Sequence, residues 1–402
     1  MKVLVVHNYY GDHAQGGESV VFEQEVSALK ARGVETRTYT RTNAELERAS
    51  LWRKARAFAL PARSPEVEKE CRALMRDFRP DVVHVHNYKY VVSPAVLKIA
   101  KEFGAKTVLT LHNYRLVVPC GQFRRGNALC EECLTRSPTR SLWRDDCASS
   151  LRGRILQSAY FFRARKPALR YVDAYFALSP FGRAKFVQGG LPAEKVFVKR
   201  NFLPDAPLNA TRERGTAARR EAIFIGRLSP EKGVRFMLDA WRDVDFPLAV
   251  VGAGSELDAA RSLAGRNVSI LGALPREAAL ERLRTASFLV FPSLWYEGAP
   301  MVLIEACALG VPILTSRAGD RADVVERFDA GLTYDLGDRH AFVESADRMA
   351  SDPSLLRRLS VGSRAAYDAL WRPEPNIERT LRIYQALIDE DHDALAELRK
   401  GE

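Results

Sequence analysis

The sequence predicts an α/β protein made of two doubly wound parallel-sheet domains. Two observations support this fold class. Strand-sized apolar runs alternate with helix-sized segments along the 402 residues, and the alternation starts again after a polar stretch at 201–220. Strands that alternate with helices favour a parallel sheet covered on both faces. Because a chain of this length exceeds one ordinary hydrophobic core, two domains are expected.

The predicted first domain spans 1–200. An amphipathic helix at 20–32 ends at Gly33, since glycine commonly terminates helices, and further helices are expected at 65–78 and 94–103. The apolar runs that predict buried strands lie at 3–7, 80–86, 106–112, 174–178 and 196–199.

The predicted second domain spans 221–372. It follows a linker at 201–220, where Pro204, Pro207 and Gly215 interrupt any hydrophobic period. The expected strands are 222–225, 247–251, 268–271, 288–291 and 311–315. The two domains are expected to face each other across a cleft, because ligands of this fold class bind at the carboxyl ends of the strands.

Composition and charge exclude several protein classes. Hydrophobic residues make up 47% and charged residues 28% of the chain, which is typical of a folded soluble protein rather than a disordered one. No apolar stretch approaches the roughly 20 residues that cross a bilayer, and the start of the chain does not resemble a signal peptide, so a cytoplasmic location is expected.

The clearest chemical pattern in the second domain follows its first strand. Residues 226–233 read GRLSPEKG, so a glycine turn precedes a helix start and is flanked by Arg227 and Lys232. Helix starts present free N–H groups to anions, and two cations strengthen that preference. The pattern therefore indicates a phosphate or diphosphate site, although two surface cations in a polar loop would look the same.

A second pattern places two carboxylates at one helix. Glu297 precedes a helix that Pro300 favours, and Glu305 lies within it about 7 Å further along the axis. The two flank the backbone N–H groups near Met301 and Val302. Because carboxylates do not bind phosphate, hydroxyl groups are their expected partners; the alternative for Glu305 is an ion pair on the helix.

Together these residues resemble the retaining glycosyltransferases of family 4, which have the two-domain GT-B fold of Rossmann-like domains. The resemblance rests on GRLSPEKG at 226–233, on the Glu297 and Glu305 spacing, and on GVP at 310–312. Gly16-Gly17-Glu18 and His112-Asn113 also match, so nearly the whole chain is covered. Family members often carry Gly-Gly-x-x-Glu where this chain has AGDRAD at 318–323, which leaves the contacts there open.

The resemblance implies a role for each matching residue. Arg227 and Lys232 would hold the donor diphosphate, and Glu305 would bind the ribose hydroxyls. Glu297 and the backbone of Gly298, Met301 and Val302 would contact the transferred sugar. Gly16 and Gly17 would let a first-domain loop approach the diphosphate, and His112 would lie near the reacting carbon. A helix at 376–388, within the C-terminal segment 373–402, would cross back onto the first domain.

The implied reaction moves a sugar from a UDP-, GDP- or ADP-sugar donor to a saccharide or lipid-linked acceptor, in the synthesis of cell envelope, capsule or exopolysaccharide. No first-domain carboxylate stands out as a nucleophile, so same-face substitution is the preferred mechanism. No divalent ion or other cofactor is required, because Arg227 and Lys232 stabilise the leaving diphosphate. A non-catalytic saccharide- or membrane-binding scaffold and a nucleotide-sugar epimerase are the alternatives.

Four of the six cysteines fall within 28 residues, in an insertion at about 115–170. A cytosolic protein seldom holds structural disulfides, and a Cys-x-x-Cys pair has metal-ligand spacing. Structural zinc is therefore expected, with a labile disulfide or free thiols as alternatives; Cys71 and Cys307 are expected in the core. The proposed ligands are Cys120, Cys130, Cys133 and Cys147.

The same insertion is strongly basic. Residues 1–200 hold 35 basic and 19 acidic side chains, out of 61 and 50 in the whole chain. Cations interleaved with apolar residues suit a helix at the inner face of an anionic membrane, although a packed helix with a basic outer face is equally compatible. No nucleic acid is expected, because no recognition motif is present. The basic residues are Arg136, Arg140, Arg144, Arg152, Arg154, Arg163, Arg165, Lys166 and Arg170.

Overall fold

Two six-stranded parallel sheets organise the chain in the computed structural model, which describes residues 1–10, 16–48, 64–144, 147–148, 150–204 and 221–400. The predicted pair of parallel α/β domains is confirmed. Of the predicted linker, residues 205–220 lie outside the described residues. One compact unit comprises Met1–Phe123, Glu131–Asn201 and Pro373–Glu402, and the other comprises Arg124–Cys130 and Phe202–Arg372.

The sheet of the first unit has the order β2-β1-β3-β4-β7-β8, with every neighbouring pair parallel. Its central strands are buried apart from end residues of β1 and β4, as expected for strands covered by helices on both faces. The strands are β1 (Lys2–Tyr9), β2 (Glu35–Thr42), β3 (Val82–Val85), β4 (Lys106–Leu111), β7 (Ala174–Ala177) and β8 (Val196–Val198).

The edge strand β2 has no counterpart among the predicted strands. Its sequence, ETRTYTRT, alternates threonine with charged or aromatic residues and contains no aliphatic side chain. Such an edge strand lacks the apolar run that marks a buried strand, so hydrophobicity does not reveal it. The last strand of the second unit (Gly331–Tyr334) was also not predicted.

The C-terminal segment contributes to the core of the first unit. Ile377, Ile383 and Tyr384 are buried against Val3 and Val5 of the central strand β1. The helices of this unit are α1 (Gly17–Ala31), α2 (Ala44–Glu47), α3 (Pro65–Phe78), α4 (Ala95–Glu102), α5 (Glu132–Thr135), α6 (Leu151–Tyr171), α7 (Pro180–Gln188), and at the C-terminus Pro373–Ile388 and His392–Lys400.

The sheet of the second unit has the order β11-β10-β9-β12-β13-β14. Numbered within the unit this is 3-2-1-4-5-6, the order of the dinucleotide-binding Rossmann fold. A short antiparallel hairpin of β5 (Arg124–Arg125) and β6 (Ala128–Leu129) also belongs to this unit. The sheet strands are β9 (Ala222–Ile225), β10 (Leu248–Val251), β11 (Val268–Gly272), β12 (Phe288–Phe291), β13 (Ile313–Ser316) and β14 (Gly331–Tyr334).

The strand order fixes where the second unit can bind a ligand. The order reverses between β9 and β12, which pair directly, and the loops that leave their carboxyl ends diverge there. Both motifs singled out in the sequence follow these two strands. The helices of the unit are α8 (Val234–Ala240), α9 (Leu257–Leu263), α10 (Arg276–Thr285), α11 (Met301–Ala308), α12 (Asp320–Arg327), α13 (Arg339–Ser351) and α14 (Pro353–Leu370).

Candidate functional site

The loop after β9 contains a glycine in the left-handed backbone conformation, which favours this residue type. A single turn of 3-10 helix, Pro230–Lys232, ends at Gly233, whose φ is 72°. A Cβ added to Gly233 would lie 2.1 Å from the carbonyl oxygen of Pro292 in the loop after β12. Glycine therefore lets the two loops touch, and this contact brings Lys232 to the other motif.

Lys232 and Glu297 form a buried ion pair. The Lys232 Nζ lies 2.7 Å from Glu297 Oε1, which also accepts hydrogen bonds from Ser293 Oγ at 2.6 Å and Trp295 Nε1 at 2.7 Å. Burial by itself would raise the pKa of Glu297, but the Lys232 charge and the hydrogen bonds from Lys232 and Ser293 outweigh it. The pKa therefore lies below its ordinary value, and the carboxylate is ionised at neutral pH.

Arg227, the other predicted phosphate ligand, is placed differently. Its side chain is 69% exposed, and its nearest carboxylate oxygen, from Glu231, lies 3.6 Å away. An exposed guanidinium with one loose partner can turn toward an incoming anion at little cost. The two predicted cations thus differ, because Lys232 is held in place while Arg227 remains accessible.

Glu305 is the fifth residue of the eight-residue helix α11 and is buried. Its Oε1 is 2.5 Å from Arg276 Nη2, a partner on α10 that the sequence pattern did not identify. Burial raises the pKa of Glu305 above its ordinary value, and the Arg276 guanidinium offsets part of that rise. The helix starts at Met301 with no side-chain cap at Pro300, so its first-turn N–H groups are not covered by a neighbouring side chain.

Arg321 is a buried cation that sequence reasoning missed. Its guanidinium donates to Thr315 Oγ1 and Ser316 Oγ on β13, and to the carbonyl oxygens of Ser293 and Trp295. These hydrogen bonds therefore hold the backbone of the loop that carries Glu297. Arg321 lies in the segment where the chain departs from the Gly-Gly-x-x-Glu pattern. An arginine in a helix that buries several of its residues was the sequence signal that could have revealed it.

In the first unit, His112 pairs with a second histidine. His112 Nε2 lies 3.0 Å from His86 Nδ1, and their rings stack at 5.2 Å. Burial, with the nearby charges of His7 and Lys199, lowers the pKa of His112 well below its ordinary value. Burial lowers the pKa of His86 in the same way. Both rings are neutral at pH 7, so one donates its N–H to the other.

Behind these histidines lies a buried charged cluster. Glu25 Oε2 is 2.5 Å from Lys199 Nζ, and both side chains are fully buried. His84 Nδ1 lies 2.5 Å from the Tyr384 hydroxyl of the C-terminal segment. Within the described residues, one group brings three metal-ligand atoms within 4.8 Å, and it consists of Glu25, His84 and His86. The Lys199 ammonium already neutralises the carboxylate of that group.

The two glycines of the first unit that were predicted to approach the diphosphate, Gly16 and Gly17, lie at the start of α1. Gly16 is the N-cap residue, and a Cβ built on it would meet nothing within 4 Å. Among the described residues of this unit, no contact therefore demands glycine at position 16, and its predicted approach to a diphosphate stays a prediction. The chain between β1 and Gly16 (residues 11–15) lies outside the described residues.

Comparison with known proteins places the chain in a family. Residues 212–365 match the family described as "Glycosyl transferases group 1", and residues 16–201 match "Glycosyl transferase 4-like domain". The chain belongs to the family-4 glycosyltransferases of GT-B fold. The predicted resemblance is therefore confirmed.

Individual relatives of this family-4 chain are distant. A protein of 42.6 kDa in the cps region of Klebsiella pneumoniae is 27% identical over 63% of this chain and 62% of its own length. The D-rhamnosyltransferase WbpZ of Pseudomonas aeruginosa is 29% identical over 37% and 41%. The alignments thus span about three fifths of the Klebsiella pneumoniae protein and about two fifths of WbpZ.

A solved structure of the same fold supports the architecture of this family-4 chain. HepE from Anabaena, determined with UDP and glucose, superimposes with a TM-score of 0.66. The match covers 96% of this chain and all of HepE at 15% identity. At that identity the similarity concerns the fold.

The predicted zinc ligands of this family-4 chain are divided between the two units. Cys120, Cys133 and Cys147 belong to the first unit and Cys130 to the hairpin of the second. Among the described groups of the first unit, those three sulfurs do not converge within the 4.8 Å that a shared ion needs. None of the six cysteines forms a disulfide, and Cys71 and Cys307 are buried as expected. The zinc site stays a prediction.

The basic stretch of this family-4 chain forms the 21-residue helix α6. One face packs into the first unit through Phe161, Ala164 and Ala168. Among the helices of the described ranges, none has the length and apolar character needed to cross a membrane. The opposite face exposes Leu151, Arg152, Ile155, Leu156, Phe162, Arg163, Lys166 and Arg170.

Proposed function

We propose that this chain is a retaining glycosyltransferase that moves a sugar from a nucleotide-sugar donor to a saccharide or lipid-linked acceptor. The observation that carries the proposal is the Lys232–Glu297 pair at the strand-order reversal of the second unit, with buried Glu305 on the adjoining helix. A nucleotide sugar carries both anionic phosphates and hydroxyl groups, and cations and carboxylates are the matching partners.

Each donor-binding residue has a distinct task in this proposal. Arg227 and Lys232 supply positive charge to the diphosphate, and Glu305 accepts hydrogen bonds from the ribose hydroxyls. All three hydrogen bonds to Glu297 from described residues end on Oε1. Its Oε2 is therefore available to a hydroxyl of the transferred sugar.

The proposed reaction proceeds on one face of the sugar. The bond from the anomeric carbon to the diphosphate oxygen breaks while the acceptor hydroxyl oxygen bonds to the same face, and the leaving oxygen takes the acceptor's proton. Arg227 and Lys232 stabilise the charge that develops on that oxygen. Catalysis then needs no divalent ion, and activity abolished by a chelator and restored by magnesium would contradict this.

The names of relatives support the biological context. One lies in a capsule (cps) region and another is a D-rhamnosyltransferase, so we assign this chain to the synthesis of capsule, exopolysaccharide or cell-envelope saccharide. HepE was determined with UDP and glucose, which supports a nucleotide-sugar donor.

We also propose that α6 rests on an anionic membrane surface, as suits an enzyme with a lipid-linked acceptor. Its exposed face mixes apolar side chains with cations, and the helix contains no acidic residue. Trp143, just before the helix, is 81% exposed, and tryptophan favours the membrane interface. Charge and apolar surface thus favour the same partner.

A donor panel tests the proposed activity. Thermal unfolding is measured with UDP-, GDP- and ADP-sugars for the wild type and for Glu305→Ala. Ligand at about 100 times its Kd should stabilise the wild type by about 2.7 kcal/mol. One nucleotide class should shift the wild type and not Glu305→Ala.

The matched control is Glu277→Ala, which removes an exposed carboxylate from the first turn of α10. It should keep the full shift. Product analysis with the identified donor then separates the alternatives, because an epimerase converts the donor without an acceptor and a scaffold converts nothing. A well-folded wild type that responds to no nucleotide sugar would overturn the proposal.

A further inference from the structure

A small cavity in the first unit lies outside the donor-binding residues. Its volume is about 60 Å³, room for roughly four to six water molecules at 10–15 Å³ each. It is too small for a nucleotide and suits a compact polar group. Its wall includes Glu18, Lys89, His112, Asn113, Arg115 and Tyr160.

Two of the three cations in this wall, Lys89 and Arg115, lack a close counter-charge among the described residues. No carboxylate of a described residue lies within 4 Å of Lys89 Nζ or of the Arg115 guanidinium, although other cations of this unit are paired within that distance. Lys89 Nζ lies 4.5 Å above the Tyr90 ring, a weaker contact than a carboxylate provides. A partly buried pair of unneutralised cations favours an anion between them.

The nearby carboxylate is held away from the guanidinium by a tyrosine. Arg115 Nη1 donates to the Tyr10 hydroxyl at 2.8 Å, and that hydroxyl donates to Glu18 Oε2 at 3.3 Å. The Tyr10 hydroxyl therefore bridges the two charged groups by hydrogen bonds. The other N–H groups of Arg115 form no hydrogen bond to the described residues, so they can serve a ligand.

The pKa values of Lys89 and Glu18 in the cavity wall agree with this geometry. Burial, together with the Arg115 charge, lowers the pKa of Lys89 to about 7. Burial also raises the pKa of Glu18 to about 7, partly offset by Arg115. A bound anion would restore the charge on Lys89, so ligand and lysine proton would bind together.

We propose that this cavity binds the anionic group of the acceptor, a phosphate or a carboxylate, through Lys89 and Arg115. The inference rests on the proposed glycosyltransferase function and adds the acceptor class to it. An acceptor anchored there has its remaining atoms beside His112 and Asn113, which line the same cavity. Phosphate would come from a phosphate-linked saccharide, and carboxylate from an acidic sugar.

Binding of two simple probes tests the proposal. Inorganic phosphate and D-glucuronate are titrated by calorimetry into the full chain saturated with UDP, so that phosphate cannot report on the donor-binding residues. At least one probe should bind the wild type, and the stronger one identifies the acceptor class. Its Kd should rise at least tenfold in Lys89→Met and in Arg115→Gln, each of which removes one cation.

The matched control is Lys30→Met, which removes an exposed lysine from the last turn of α1. It should leave the probe affinity unchanged, and UDP affinity should be unchanged in all three variants. Two substitutions on different elements keep the test decisive if one of them impairs folding. The inference is overturned if neither probe binds the UDP-saturated wild type, or if both cavity variants bind as the wild type does. Failure of UDP itself to bind would instead count against the proposed function.

Discussion

Lys232 Nζ lies 2.7 Å from Glu297 Oε1, although the two residues are 65 positions apart. The first was predicted to bind a diphosphate and the second to contact the transferred sugar. Their contact would couple these tasks, because the charge proposed to hold the phosphate also keeps the carboxylate ionised. Predictions for the proposed donor-binding residues follow from this coupling.

Lys232→Met should reduce stability as well as donor binding. It leaves a buried carboxylate without its cation, which typically costs about 3–5 kcal/mol. Arg227→Met removes a mostly exposed cation, so its effect on the free energy of unfolding should stay within about 0.5 kcal/mol. Both should weaken UDP binding. Urea unfolding and UDP titration separate the two effects, and equal stability losses would contradict the buried role of Lys232.

The Lys232 variant should also change the acid sensitivity of the protein. Since the pKa of Glu297 is depressed in the folded state, its stabilising contribution is complete above the ordinary glutamate pKa and is lost as pH falls through the lowered value. Lys232→Met removes the main cause of the depression and leaves burial to raise the pKa, so this acid-dependent loss should shrink or disappear in the variant. Urea midpoints between pH 3 and 7 measure it, and Arg227→Met, which leaves the pair intact, should follow the wild type.

Arg276→Ala should make nucleotide binding more sensitive to acid. Burial raises the pKa of Glu305 and Arg276 lowers it in part, so removing the guanidinium raises it further. The protonated carboxyl accepts hydrogen bonds poorly, and affinity should therefore fall at a higher pH than in the wild type. UDP Kd values between pH 5 and 8 measure the shift, with Arg284→Ala as an exposed control on the same helix. Superimposable profiles would show that Arg276 does not act on Glu305.

His86→Leu should lower kcat with little change in the KM for the donor. The substitution removes the hydrogen-bond partner of His112 Nε2 and frees the ring to turn. One lost hydrogen bond is worth about 1 kcal/mol, or roughly fivefold in rate. His86→Asn keeps a polar partner and should recover part of the loss. If Asn and Leu were equally slow, the contribution of His86 would be packing alone.

Replacement of Arg152, Arg163 and Lys166 by glutamate should abolish binding to anionic liposomes. At about 1 kcal/mol for each cation near the surface, the loss should be at least a hundredfold. Replacing Lys30, Arg32 and Lys69, which are exposed elsewhere in the first unit, makes the same charge change and should preserve binding. Cosedimentation with phosphatidylglycerol vesicles measures both. Equal losses would show a general charge effect rather than a surface on α6.

Elemental analysis tests the predicted zinc site. About one zinc ion per chain is expected in protein purified under reducing conditions, and it should be lost in Cys130→Ser and Cys133→Ser. Cys71→Ala changes a buried core cysteine and should retain the metal. Wild-type protein that contains no zinc would contradict the predicted site and show that these cysteines are free thiols.

The sequence identified the polar side chains of the second unit that the proposed function uses more completely than the polar groups of the first. The GRLSPEKG loop and the Glu297–Glu305 helix stand out because strand, turn and helix signals frame them within a few residues. The sequence does not reveal the roles of Arg276, Arg321 and His86, since each forms its ion pair or hydrogen bonds with residues of another helix, strand or loop. The edge strand Glu35–Thr42 was missed for a related reason, because its side chains lack the apolar run of a buried strand.

The sequence by itself determined the two parallel α/β domains, the boundaries of most strands and the residue types that suit a nucleotide sugar. Hydrophobic periodicity and turn residues are local properties, and they suffice for those features. Tertiary structure alone decided which polar side chains meet: Lys232 with Glu297, Arg276 with Glu305, and His86 with His112. Strand order sets the first and last of these contacts, because β9 pairs with β12 and β3 with β4, and no spacing along the chain records that order. The Arg276–Glu305 contact depends on how helices α10 and α11 pack.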